Sequence, residues 1–240
     1  MDFLAEAFRR AWGLLLAGDS EVYGIALLTL KVAVVATVIS CAVGLPLGYF
    51  LATRRFWGRR AALTVVNTAL AFPTVVVGLL LYGLLSRRGP LGSLGWLYTW
   101  QAIVIGDVLL ALPIAAALSA AAIQGVDPRI RRTAETLGAG SWRTAWTVAR
   151  EARFALAAVI TAAFGQVVAE VGAAMIVGGN IRGSTRTLTT AVALYTSQGD
   201  FGLALALGVV LLMLALVVNI ALQMLQGRGG EGGGGGAAGG

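Results

Sequence analysis

Few side chains in this sequence can do chemistry, and they sit in unusual company. Asp107 and Glu170 each lie inside a long apolar run. A carboxylate in hydrocarbon is costly, so each must face a protein interior or a cavity and find a partner there. Glu170 stands about 16 residues into its run, or about 24 Å along a helix. Gln166, one turn earlier, is within helical reach of it. Arg182 or Arg186 reaches it if the intervening segment dips inward. Carboxylates repel anions, so Glu170 reads as a structural or gating group, with substrate contact as the alternative. Asp107 reads as a helix-packing hydrogen-bond group. Beyond Glu170 come Asn180, Arg182, Ser184, Thr185, Arg186 and Thr187, opening a hydroxyl-rich stretch over 184–197 that also carries Leu188, Val192 and Tyr195. A short helix half inserted near the outer mouth fits that stretch. Guanidinium, hydroxyl and backbone N–H groups together suit an oxyanion, through hydrogen bonds and positive potential. The same arginines would equally hold phospholipid headgroups, and both readings stand.

Much chemistry is excluded. There is no histidine, one lysine (Lys31) and one cysteine (Cys41). No disulfide framework, Cys/His zinc site or histidine triad can be built. No set of residues suggests a cofactor or a metal. No G-x-x-x-x-G-K-[ST] loop is present, so an ATP-driven process would need its nucleotide site on another subunit. Asp107 and Glu170 stand in different local motifs, which gives an intramembrane enzyme no paired catalytic groups.

The elements that must position these residues are membrane helices. Of 240 residues only 12% are charged, and the mean hydropathy is +0.84. A soluble domain carries about 25% charged residues. Crossing the hydrocarbon core takes about 20 apolar residues, and five stretches qualify: 25–52, 62–85, 101–123, 154–177 and 201–225. Pro46, Pro73 and Pro113 lie within the first three, tolerable where neighbours re-satisfy the freed carbonyl. Gly44 and Gly48 would let another backbone approach the first span. Residues 1–20 read as an interfacial amphipathic helix, since Phe3, Leu4, Ala7, Phe8, Ala11, Trp12 and Leu15 share a face. Residues 21–226 form the membrane domain, and 227–240, nearly pure Gly and Ala, read as a disordered tail. The expected fold is all-α and polytopic.

The net charge of +7 comes from short arginine clusters between apolar runs, a topology signal rather than a nucleic-acid surface. Eleven arginines (54, 55, 59, 60, 129, 131, 132, 143, 150, 153 and 228) fall on one side and six (9, 10, 87, 88, 182 and 186) on the other. The richer side is cytoplasmic by the positive-inside rule, with the N-terminus outside and the C-terminus inside. No internal repeat is visible.

The loop over 124–153 is long for a membrane protein. Asp127-Pro128 opens a helix, with Asp as cap and Pro at the first position. That helix runs to about Thr136. Gly138-Ala139-Gly140-Ser141 breaks it, with Gly138 expected at positive φ, and a second helix follows over 142–153. The stretch Arg132-Thr133-Ala134-Glu135-Thr136-Leu137-Gly138, with Ala139 and Trp142, resembles the cytoplasmic E-A-A-x-x-x-G loop of permease subunits of ABC importers. Arg132 stands where that pattern has Glu, and Arg150-Glu151 where it has Leu-Pro. Ala169-Glu170-Val171-Gly172-Ala173, Gly178-Gly179-Asn180-Ile181 and Thr185-Arg186-Thr187-Leu188-Thr189-Thr190-Ala191 resemble the oxyanion branch of these permeases, the tungstate importers most closely.

The resemblance implies a type I ABC importer permease in the cytoplasmic membrane. It implies a homodimer of this chain in the lipid bilayer, two copies of a separate ATPase subunit, and an extracytoplasmic oxyanion-binding protein. Arg132, Ala134, Glu135, Leu137, Gly138, Ala139 and Gly140 would then form the ATPase-coupling loop. Glu170, Asn180, Arg182, Thr185, Arg186 and Thr187 would form the gate or anion path. Molybdate, sulfate and phosphate remain alternative cargoes, and a nucleotide-independent secondary transporter the rival mechanism.

Overall fold

The computed structural model describes residues 9, 12–13 and 20–227. The interfacial helix expected over 1–20 and the tail over 227–240 lie outside the described residues, apart from Arg9, Trp12, Gly13, Ser20 and Gly227. Between residues 20 and 227 the chain is all-α: α1 (Ser20–Thr53), α2 (Arg59–Ala69), α3 (Thr74–Leu85), α4 (Trp100–Gln124), α5 (Pro128–Thr136), α6 (Ser141–Glu151), α7 (Arg153–Val168), α8 (Gly172–Gly178), α9 (Leu188–Ser197) and α10 (Phe201–Gly227). A 3₁₀ turn, Gly92–Leu94, lies between α3 and α4.

The centre of the fold is α4 packed along α1. Sequence dictates the closeness of that pair. A Cβ added to Gly48 would sit 1.8 Å from Ser119 Oγ and 2.5 Å from Ala116 O, and one on Gly44 would sit 2.6 Å from Ala115 Cβ. The Ser119 hydroxyl donates across the interface to Gly44 O at 3.3 Å. Around this pair Val32, Ala33, Ala36, Ile103, Val104, Phe164, Val167 and Val177 form the largest buried apolar cluster.

Three helices, α1, α4 and α10, are each long and apolar enough to cross a membrane, and two bent pairs bring the number to as many as five. The expected count of about five is reached only through the bent pairs α2–α3, at 101°, and α6–α7, at 77°, and two of the expected spans, 62–85 and 154–177, are not continuous helices. The stretch 62–85 breaks at Pro73, where α2 and α3 meet at 101°. Pro46 and Pro113 lie inside unbroken α1 and α4. The difference is packing. Proline disfavours a helical residue before it, and at 46 and 113 the α1–α4 contact holds the helix in register regardless. No residue of α2 is buried, so nothing opposes the break, and Pro73 O begins α3 by accepting from Val76 N and Val77 N.

The stretch 154–177 breaks at Glu170. The chain leaves α7 at Val168, and Val171 takes φ −126° before α8 begins. A carboxylate that bonds forward to the backbone competes with the helix for its own N–H groups. The two half-helices that result, α3 and α8, lie hard against each other. A Cβ on Gly78 would approach Ala173 Cα to 2.8 Å, and one on Gly172 would approach Thr74 Oγ1 to 2.6 Å. At about 18 Å, the 12 residues of α3 cannot span the core alone.

Candidate functional site

The segment after α8 is built from residues that tolerate left-handed backbone. Gly179 has φ +70°, Asn180 +49° and Gly183 +75°. The turn is closed by Ile181 O, which accepts from the backbone N–H groups of Ser184, Thr185 and Arg186. Thr185 is fully buried; its hydroxyl donates to Gly178 O at 2.5 Å and accepts from Ile181 N at 3.0 Å. Thr187 caps α9, with reciprocal bonds between the 187 and 190 side chains and backbones. Leu188 N donates to Thr29 Oγ1 of α1 at 2.9 Å. The hydroxyls of Thr185, Thr187, Thr189 and Thr190, expected near an outer mouth, are thus buried. Those of Thr185, Thr187 and Thr190 bond within residues 178–190 and hold the segment's own turns.

The two arginines of the segment are held by a residue that sequence reasoning passed over. Glu21, in the first turn of α1, accepts from Arg182 Nε at 2.7 Å, and its other oxygen accepts from Arg182 Nη2. Arg186 Nη1 lies 3.6 Å from the same carboxylate. The expectation that Arg182 or Arg186 pairs with Glu170 is therefore corrected: α1 brings a nearer carboxylate, 161 positions away from Arg182 in the chain. The two guanidiniums differ. That of Arg182 is 72% exposed, that of Arg186 only 12%. Arg186 Nη2 makes one long bond to Asn180 O at 3.5 Å, and its Nε is buried with no acceptor among the described residues. A guanidinium has five N–H donors in a fixed fork. Largely enclosed and held by two long contacts, this one is under-filled.

Glu170 is 6% exposed and its carboxylate accepts from Ala173 N at 2.9 Å. That bond runs forward into α8, rather than back to Gln166 as helical spacing suggested. Asp107 of α4, 3% exposed, shares with it a cavity of ≈ 10 Å³, room for one water at most, lined also by Thr29, Thr187 and Thr189. The Asp107 Oδ1 atom has no hydrogen-bond partner there. The two intramembrane acids therefore belong to one polar spot, at the break between α7 and α8.

At the far end of α1 and α4 lies the helical hairpin α5–α6. Asp127 caps α5 by accepting from Arg129 N at 2.8 Å, with Pro128 at the first helical position. The turn has the expected backbone: Gly138 takes φ +82°, Gly138 N donates to Glu135 O, and Ala139 N donates to Ala134 O. Ala134 is buried beneath the turn. Arg131 pairs with Glu135 at 2.9 Å and also donates to Thr53 O at 3.0 Å, which ties the hairpin to the end of α1. Arg132 and Gly140 flank these contacts, so the seven residues expected to act together do lie on one hairpin. Its tip is apolar and bare: Leu137 is 82% exposed and Trp142 80%. Beside it, Trp142 and Trp146 line an apolar groove of ≈ 620 Å³ with Tyr49, Phe50 and Arg54 of the α1 end.

A polytopic helical chain with half-helices at its centre and a bare hairpin at one end is the architecture of a membrane transport subunit. The chain belongs to the family described as "Binding-protein-dependent transport system inner membrane component", matched over residues 44–228. It is similar to the tungstate uptake system permease protein TupB of Peptoclostridium acidaminophilum, at 40% identity over 94% of this chain and 99% of that protein. The corresponding protein of Campylobacter jejuni is 39% identical over 91% of this chain and 92% of its own length. Among solved structures, a chain of a bacterial alginate ABC transporter in complex with an alginate pentasaccharide-bound periplasmic protein has the same fold. Its TM-score is 0.73 and its identity 17%, over 95% of this chain and 87% of that one.

Proposed function

We propose that this chain is the membrane-spanning permease of an ATP-driven oxyanion importer, and that its cargo is tungstate. The observation that carries the reading is the under-filled Arg186 guanidinium beside Arg182, at the end of the bundle away from the α5–α6 hairpin. A buried donor without an acceptor is uncommon in a native interior, and a tetrahedral oxyanion offers several acceptors at once. The names of the two relatives supply the identity of the anion.

In this reading the α5–α6 hairpin is the cytoplasmic coupling loop, and its bare Leu137 and Trp142 are the contact offered to an ATPase subunit, two copies of which serve a two-fold pair of this chain. Large apolar side chains bared at an aqueous face mark a binding surface. An extracytoplasmic binding protein delivers the anion at the opposite end. Orientation follows the arginines: Arg131 ties the hairpin to Thr53, so the loops rich in arginine lie together, and Glu21 with Arg182 lies at the other end. That supports an outside N-terminus and an inside C-terminus. Closure of the ATPase pair would move the hairpin, and the half-helices α3 and α8 would carry that motion to the path. Reconstitution into vesicles with the ATPase and binding protein tests the whole reading. Tungstate uptake should require ATP; accumulation in ATP-free vesicles would replace it with a secondary transporter.

A further inference from the structure

We infer that the polar spot at the α7–α8 break is a cation site, and that its ligand is a single sodium ion held by Asp107, Glu170 and three threonine hydroxyls. Five polar side chains line the ≈ 10 Å³ cavity, those of Thr29, Asp107, Glu170, Thr187 and Thr189, and every polar atom they carry is an oxygen. The other lining residues are Val, Ala and Ile, so no lysine, arginine or side-chain amide reaches in. Oxygen donor sets of this kind suit hard cations. Thr29 spends its proton on Ile25 O at 2.8 Å and one lone pair on Leu188 N at 2.9 Å. What it has left for the cavity is its second lone pair. Val167 and Val168, the last two residues of α7, line the same cavity, so the negative end of that helix adds to the pull on a cation.

Asp107 points to the ion independently. It is 3% exposed, and its Oδ1 lines up with no hydrogen-bond partner among the described residues. Native interiors do not leave a carboxylate oxygen in that condition. The charge of Glu170 is already met in part, by Ala173 N at the start of α8. That of Asp107 is not, and one uncompensated charge calls for a monovalent cation. No third acid joins the pair among the described residues. Volume narrows the choice further. Magnesium keeps several of its waters, for which there is no room, and calcium takes about six to eight oxygens. Sodium is smaller than a water molecule and accepts fewer ligands than potassium does. Seated here, it joins α1, α4, the α7–α8 break and the cap of α9 at one point. In an oxyanion importer it would also mask two acids that otherwise repel the cargo, but sodium binding itself does not depend on that reading.

Radiolabelled sodium tests this directly. The assembled complex, permease with its ATPase, is exchanged into choline chloride and titrated with labelled sodium at constant ionic strength, without nucleotide or oxyanion. The wild type should bind sodium saturably, a single ion per permease chain. Asp107→Asn keeps the shape and removes the charge, and should weaken binding at least about tenfold. Thr189→Val removes one oxygen at nearly constant shape, and should weaken it about threefold or more. The ATPase is common to every sample, so a difference between variants belongs to the permease. Assembly is judged by size-exclusion chromatography, and Thr189→Val decides the matter if Asp107→Asn fails to assemble. Wild-type affinity in assembled Asp107→Asn, or in Thr189→Val where that variant has to stand in, overturns the inference. So does a wild type that binds no sodium saturably, which would leave a water or a proton in the cavity. Displacement of the label by calcium or magnesium at lower concentration than by unlabelled sodium overturns it too, in favour of a divalent site.

Discussion

Gly138 offers the sharpest test of coupling, because its backbone and its surroundings point to different outcomes for different side chains. Its φ is +82°, yet a Cβ there would meet nothing within 4 Å. Space is therefore no obstacle, and any effect of substitution comes through the backbone. Holding an ordinary L-residue in the left-handed region costs about 1–2 kcal/mol, and a β-branched one is a genuine outlier there. Asn is tolerated, since its short polar side chain bonds locally. A cost of about 1–2 kcal/mol lowers the population of the native turn by a factor of about 5–30 relative to its alternatives. The turn carries Leu137 and the two bonds to Glu135 O and Ala134 O, so its loss moves the tip without touching the membrane helices. We expect Gly138→Asn to behave as wild type, Gly138→Ala to lose coupling in part, and Gly138→Val to be inserted and assembled but uncoupled. The assay is ATP hydrolysis by the reconstituted complex with and without anion-loaded binding protein, read beside tungstate uptake. Normal stimulation in Gly138→Val, or equal damage in Gly138→Asn and Gly138→Val, would refute the argument.

Three further outcomes follow from the same geometry. With Cys41 replaced, single cysteines at Arg59 and Arg182 should react with an impermeant reagent from opposite sides of the membrane; labelling from one side would remove the topology. Arg186→Ala should cut tungstate uptake per assembled complex at least about tenfold, with Arg186→Lys intermediate because it keeps the charge and loses the fork; if the arginine instead anchors lipid, Lys matches wild type and Ala lowers only the amount of complex. Gly48→Ala should lower the thermal midpoint of the complex through overpacking worth about 1–3 kcal/mol, and Ser119→Gly should restore part of it by removing the atom 1.8 Å from the new Cβ; an unshifted midpoint in the single variant would mean that α1 and α4 are not packed this closely.

What the sequence disclosed was whatever its neighbours along the chain determine. Asp127-Pro128 is a complete start signal in two residues, and Gly138 a complete stop signal in one, so the hairpin was legible to within a residue or two. Gly44 and Gly48 on one face announced a close helix neighbour, though not that α4 would supply it. The breaks were harder. Pro73 reads the same as Pro46 and Pro113, and only the packing of α1 on α4 and the absence of any buried residue on α2 separate them. Glu170 sits in an unbroken apolar run, and hydropathy does not register that its carboxylate will bond forward to Ala173 N. The Glu21–Arg182 pair lies furthest out of reach, because its partners meet only after every helix between them has been placed.

Glu170 can be assigned a role by removing its charge and its acceptor separately. Its carboxylate accepts from Ala173 N, in a place where the residue is 6% exposed and Asp107 shares the cavity. If the group serves only to end α7 and start α8, what matters is an oxygen at that position. Glu170→Gln keeps such an oxygen in its amide carbonyl and should fold, assemble and transport as wild type. Glu170→Ala removes it and leaves a buried backbone N–H unpaired, a loss of about 1–3 kcal/mol, seen as a lowered thermal midpoint of the assembled complex. If the negative charge itself is needed, to repel the anion from this depth or to respond when the half-helices move, Glu170→Gln should assemble at the wild-type level and yet lose uptake. The bond to Ala173 and the very small cavity favour the first outcome, because a group locked in a cap by a 2.9 Å bond has little freedom to act as a moving gate. Loss of transport in Glu170→Gln with an unshifted thermal midpoint would overturn that assignment and make the charge functional.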